Sequence, residues 1–119
     1  MQEYNIDGQL AYLNDHDAAN RSNRFVGANL KKKMTDLVAW QVKGKPPITE
    51  PCTITFYWRI SSKHDPDNIR FAAKYVLDGM IKGGVLPNDS QGWIIAFEGD
   101  YFTRVSPGDE GVTVVVSYK

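Results

Sequence analysis

The chain has 119 residues and a mass of 13.4 kDa, with 42% hydrophobic side chains, 24% charged side chains and no net formal charge. That is enough for one compact domain with a real core, and it excludes extended disorder and coiled coil. No apolar run approaches the roughly 20 residues of a bilayer span, and one cysteine with two histidines excludes an internal disulfide framework and a Cys/His zinc cage.

A short strand is expected near residues 2–6. The same segment, MQEYNIDGQL, lacks a basic stretch followed by an apolar one, so no secretory signal is read there and a cytoplasmic location is expected. Charge is uneven: residues 1–20 carry a net −4, whereas residues 21–45 carry a net +6 from Arg21, Arg24, Lys31, Lys32, Lys33, Lys43 and Lys45 against Asp36. The pI near 6.7 argues against a generic nucleic-acid coat but leaves room for a local anion-binding face. Leu30, Met34, Leu37 and Val38 recur at helical spacing, predicting an amphipathic helix over 28–43, stopped by Gly44 and the Pro46-Pro47 pair. Lys31, Lys32 and Lys33 fall off that apolar stripe.

Cys52, Ile54, Phe56, Trp58 and Ile60 alternate with Thr53, Thr55, Tyr57 and Arg59, the clearest strand in the chain. Cys52, Phe56, Trp58 and Trp40 are expected in the core. A second helix is predicted from about Pro66 to Ile81, with Gly83-Gly84 at its exit. Trp93–Phe97 and Tyr101–Val105 flank Glu98-Gly99-Asp100 and read as a hairpin or a bulged pair. Val112, Val114, Val116 and Tyr118 alternate as a last strand. The expected architecture is α+β: one domain over 1–119, with a mixed sheet and two main helices packed against it.

The chemistry concentrates between residues 63 and 90. Asp65 and Asp67 stand where the long strand gives way to the second helix, and on a continuous helix Asp67, Lys74 and Asp78 would fall within about 40° of one another. Plain structural roles are open to each: Asp65 as an N-cap, Lys74 and Asp78 as a solvated i, i+4 pair, Asp89 as a turn residue. Capping needs only one acid, however. Clustered carboxylates repel unless a cation or proton joins them, and hard oxygen ligands select Mg²⁺ or Mn²⁺.

Asp65-Pro-Asp-Asn68, Lys74, Leu-Asp-Gly79 and Gly-Val-Leu-Pro-Asn-Asp-Ser90 together resemble the RusA family of Holliday junction resolvases, found in bacteria, phages and prophages. Leu13-Asn14, Asn23-Arg24-Phe25, Gly27 and Lys31-Lys32 extend the likeness over roughly residues 10–95. The resemblance implies that Asp65, Asp67 and Asp89 are Mg²⁺-binding carboxylates, with Mn²⁺ as a substitute, and that Lys74 is the catalytic lysine. It gives Asn68 and Asp78 supporting roles and implies a homodimer. Arg21, Arg24, Lys31, Lys32 and Lys33 become candidates for DNA contact.

The implied activity is Mg²⁺-dependent endodeoxyribonuclease cleavage of four-way DNA junctions in recombination and repair. A junction-binding protein of the same fold that no longer cuts is the alternative. A nucleotide-binding phosphotransfer domain is a weaker rival: no P-loop or dinucleotide fingerprint is present, so no nucleotide cofactor and no membrane partner are expected. His64, beside the acids, is read first as incidental, with metal ligation or proton transfer as its functional option. Trp93 and Tyr101 are read as structural before being read as base-stacking platforms.

Overall fold

A computed structural model describes residues 1–10, 12, 18, 19, 21 and 24–118. Strand β1 (Gln2–Asp7) leads to helix α1 (Arg24–Val42), strand β2 (Cys52–Ile60), the short helix α2 (Pro66–Arg70), helix α3 (Ala73–Lys82) and strands β3 (Ile94–Arg104) and β4 (Gly111–Tyr118). The four strands form one mixed sheet in the order β1-β4-β2-β3. β4 lies antiparallel to both β1 and β2, whereas β3 runs parallel to β2 at the sheet's edge. The expected α+β architecture is therefore present, with β1 one residue longer than its estimate and β2 at its expected limits.

Alternation decides which face is covered. Cys52, Ile54, Phe56, Trp58 and Ile60 of β2 are buried, as are Tyr4 and Ile6 of β1 and Val112, Val114 and Val116 of β4. Helix α1 lays Met34, Val38 and Val42 on this face, and α3 adds Val76 and Met80. Each such side chain contributes about 1.5–3 kcal/mol by leaving water. Gln41 of α1 clasps the end of β1: its Oε1 accepts from the Asp7 N–H at 2.8 Å and its Nε2 donates to the Asp7 carbonyl at 2.7 Å. Glu110 joins the far end of β2 to the turn before β4, accepting from the Ser61 hydroxyl at 2.7 Å and the Gly108 N–H at 2.6 Å. Those bonds hold its carboxyl below the usual carboxylate range.

Four expectations need correction. Helix α1 begins at Arg24, four residues earlier than predicted, because the apolar stripe marks only the part of a helix that packs. Trp40 is not in the core but 77% exposed, on the side of α1 away from Val38 and Val42. The second helix is two: around Phe71 and Ala72 the ladder tightens, with Ala72 N–H reaching Ile69 O at 2.9 Å and Lys74 N–H reaching Phe71 O at 3.2 Å. Such i→i−3 bonds advance the chain by about 120° per residue rather than 100°, so the continuous-helix angles no longer apply.

The fourth correction concerns the hairpin or bulged pair expected around Glu98-Gly99-Asp100: there is no hairpin but one eleven-residue strand, β3, whose pairing with β2 skips Glu98. A tight two-residue reversal needs positive φ, and Gly99 is not among the positive-φ glycines. The chain runs straight on beside β2, and the irregularity appears instead as register shifts opposite Cys52/Thr53 and Ile54/Thr55. No helix among the described residues is long and apolar enough to cross a membrane.

Candidate functional site

Asp65 is the N-cap of α2. Its backbone is extended (φ −72°, ψ 146°), and its carbonyl accepts from Asn68 N–H at 3.0 Å and Ile69 N–H at 3.2 Å. Its carboxylate, by contrast, makes no capping hydrogen bond and is exposed. Pro66 starts the helix where its missing N–H costs nothing. Asp67, in the first turn, is exposed, and its Oδ1 accepts from the Asn68 N–H at 3.0 Å. Asn68 turns inward and is 7% exposed.

His64 acts as a bracket under this turn. Its Nδ1 lies 3.1 Å from Asn68 Nδ2, its Nε2 lies 2.8 Å from Ser62 Oγ, and its ring meets Tyr12 edge-on at 4.9 Å. With both nitrogens engaged by neutral side chains, it positions the Asp65–Asn68 turn.

Lys74, one residue into α3, pairs with Asp78 at 3.7 Å. The Lys74 side chain is 61% exposed, so taken alone the pair is a solvated surface contact of the kind that adds little stability. Its surroundings add to that description. Among the described residues, a groove of about 480 Å³ is lined by Asp67, Arg70, Phe71, Ala73, Lys74, Leu77, Asp89 and Phe97. Asp67 comes from α2, Lys74 from α3, and Asp89 from the loop after α3. In that loop the Ser90 N–H donates to Asn88 Oδ1 at 2.9 Å, closing an Asx turn beside Asp89. Phe97 of β3 completes the lining.

The structure thus brings Asp67, Lys74 and Asp89 to one groove and leaves Asp65 and Asp78 off its lining. Among the described residues, no group of three or more His, Cys, Asp or Glu side chains sits close enough to hold a metal ion. Two hard carboxylates facing one groove nonetheless suit Mg²⁺, which takes one or two protein carboxylates and completes its shell with water and substrate phosphate oxygens. Asp67 and Asp89 are the residues of this lining that would hold such an ion.

Arg21, Lys31, Lys32 and Lys33 are not among the described residues that line this groove. Lys31, Lys32 and Lys33 are exposed on α1, and Lys32 pairs with Asp36 at 2.7 Å. Asp36 also pairs with Lys82, and hydrogen bonds from the two lysines hold its carboxyl below the usual range. Arg21 is exposed; Leu13, Asn14, Asn23 and the side chain of Arg24 lie outside the described residues. Trp93 is half-buried against the core, whereas Tyr101 stacks on Tyr57 at 5.1 Å on the sheet face opposite the helices.

Arg70 was not anticipated. Its Nε lies 2.8 Å from Asp100 Oδ2, and its guanidinium sits 4.8 Å from the Phe97 ring centroid and 5.3 Å from that of Phe56. Its spacing of three residues from Asp67 within one helical turn was the available signal. The partner, thirty residues away in a segment read as a turn, gave none. Compared with known proteins, the chain matches no protein-family model and no curated protein.

Proposed function

We propose that the protein is a Mg²⁺-dependent, structure-selective endodeoxyribonuclease that cuts four-way DNA junctions. The observation carrying this reading is the convergence of Asp67, Lys74 and Asp89, from three separate elements, on one open groove. Two acids and a lysine lining a shared space are an arrangement that a surface salt bridge does not require and that metal-assisted phosphodiester hydrolysis can use.

In this reading Asp67 and Asp89 hold Mg²⁺, which when bound polarises the phosphate and lowers the pKa of water. Asp65, two residues before Asp67, would add a further carboxylate to the same metal. Lys74 places its ammonium against the charge that builds on the phosphate oxygens, and Asp78, one turn on, orients it through their ion pair. Asn68 and His64 fix the turn carrying Asp67. Two symmetric cuts on a two-fold junction call for a C2 homodimer with one groove per protomer. Arg21, Arg24, Lys31, Lys32 and Lys33 supply phosphate contacts away from the scissile bond.

A second reading, a junction-binding protein of this fold that does not cut, is favoured by one observation: the three acids are not gathered into one cluster. Incubation with four-way, Y-shaped and linear DNA, in Mg²⁺, Mn²⁺ or EDTA, separates the two. Cutting of the four-way substrate in Mg²⁺ and none in EDTA is the expected result. Tight junction binding with no cleavage in either metal would establish the second reading instead.

A further inference from the structure

We propose that Arg70 is the phosphate-binding residue of the groove and that Asp100, fixed in turn by Trp58, is its positioning residue. The substrate class, a DNA phosphodiester, rests on the nuclease reading above; the anion chemistry of Arg70 does not. Trp58 is 1% exposed and cannot move without repacking the core. Its indole N–H donates to Asp100 Oδ1 at 2.9 Å, which leaves Oδ2 to face Arg70 Nε at 2.8 Å. The guanidinium is further confined by Phe97 and Phe56, whose own rings stack at 6.0 Å. A normally mobile side chain is thereby held at the groove wall from two sides.

What the arrangement leaves available is an anion site. A guanidinium carries five N–H donors in a planar fork, more than one carboxylate can engage, and Arg70 lines the groove itself. Before a metal binds, a phosphate entering would meet Asp67 and Asp89, with Arg70 and Lys74 the cations on the described lining, and Lys74 is shared with Asp78. A pre-positioned planar fork suits phosphate recognition better than a flexible ammonium because less freedom is lost on binding. Lys74 and Arg70 then divide the work: Arg70 seats the phosphate, and Lys74 meets the charge that develops on it.

The test uses the full chain in EDTA with selectively ¹⁵N-labelled arginine. Inorganic phosphate, and separately a four-way junction, are titrated while the Arg70 Nε–H resonance, assigned by its loss in Arg70→Lys, is followed. Both ligands should shift it. In parallel, single-turnover cleavage in Mg²⁺ should fall about 10²–10³-fold for Arg70→Gln. The salt slope of junction binding should become shallower by about 0.9 for Arg70→Gln and stay unchanged for Arg70→Lys, which keeps the charge. Asp100→Asn should slow cleavage at an unchanged slope, a split that a merely structural ion pair would not produce. A silent resonance with both ligands overturns the proposal, as does wild-type cutting by Arg70→Gln. If Arg70→Gln does not fold, the wild-type titration and Arg70→Lys decide. If the wild type cuts no branched DNA yet Arg70 responds to phosphate, the nuclease reading falls and the anion site stands.

Discussion

Gly79 is where helix propensity and tertiary packing make opposite forecasts. In an isolated helix, Gly→Ala is stabilising by about 1 kcal/mol, because alanine loses less backbone entropy on folding. In this fold α3 lies against α1 along Gly79 and Gly83. A Cβ at Gly79 would sit 2.6 Å from Val38 Cγ1 and 2.9 Å from the Thr35 carbonyl oxygen, against the roughly 3.5–4.0 Å at which carbon contacts become favourable. Val38 has no exposure and Thr35 contributes backbone, so neither can rotate away and the helices must part by about 1 Å. Overpacking of this kind costs about 1–3 kcal/mol, and a backbone obstacle places it near the upper end. Subtracting the propensity gain leaves Gly79→Ala about 2 kcal/mol less stable, a fall in Tm of about 8 °C for a chain of this size. The measurement is a thermal melt beside urea unfolding. Gly44→Ala, whose φ is +82° but whose Cβ would meet nothing within 4 Å, provides a strain-only comparison at about 1–2 kcal/mol. A Gly79→Ala protein that melts at or above the wild type would refute close contact between α1 and α3. Because Lys74 rides on the same helix, cutting should drop along with stability.

The remaining predictions divide between the groove, the surface and the core. Asp67→Asn should slow single-turnover cleavage by at least about 10²-fold with junction binding retained, and Lys74→Ala should do likewise at a stability cost of only about 0.3–0.5 kcal/mol; wild-type rates for both would remove the groove from the chemistry. Changing Lys31, Lys32 and Lys33 to Ala should make the salt dependence of junction binding shallower by about 0.9 for each lysine that contacts phosphate, read from binding isotherms at several ionic strengths. Trp40→Ala should change stability by no more than about 0.5 kcal/mol, since the ring is exposed; a large drop in Tm would mean it packs against something. Tyr4 donates to the Pro46 carbonyl at 2.5 Å, and burial pushes its phenol up to about 12. The raised value means that its stabilisation is complete below the ordinary phenol pKa of 10.0 and is lost as the pH climbs toward 12. Tyr4→Phe should therefore melt lower at neutral pH, by about 1 kcal/mol, with a flatter profile in alkali.

Local patterns that report burial directly were legible in the sequence. Strand β2 was visible because its alternate side chains meet a core on one face only, and the apolar stripe of α1 for the same reason at helical period. Gly44, at φ +82°, marks the stop after α1 because few other residues adopt that backbone cheaply. Asp65, Asp67, Lys74 and Asp78 stood out because a second acid and a Lys/Asp ridge exceed what capping requires, whereas Asp89 joined them through the RusA resemblance. Tertiary structure decided what depends on partners far along the chain. Helical spacing could not register the tightened turn at Phe71 and Ala72, since no residue type there marks the change to i→i−3 bonding. Trp40 reads as core by composition, but at 100° per residue it falls about 160° from Val38 and Val42, on the far side of the helix. Glu98-Gly99-Asp100 has turn-forming composition, yet parallel pairing with β2 drew it into a continuous strand. That pairing carries Asp100 to Arg70 and Trp58. No local pattern contains the contact, because its three members meet only when the helices that follow β2 pack back over the sheet and return the chain alongside it.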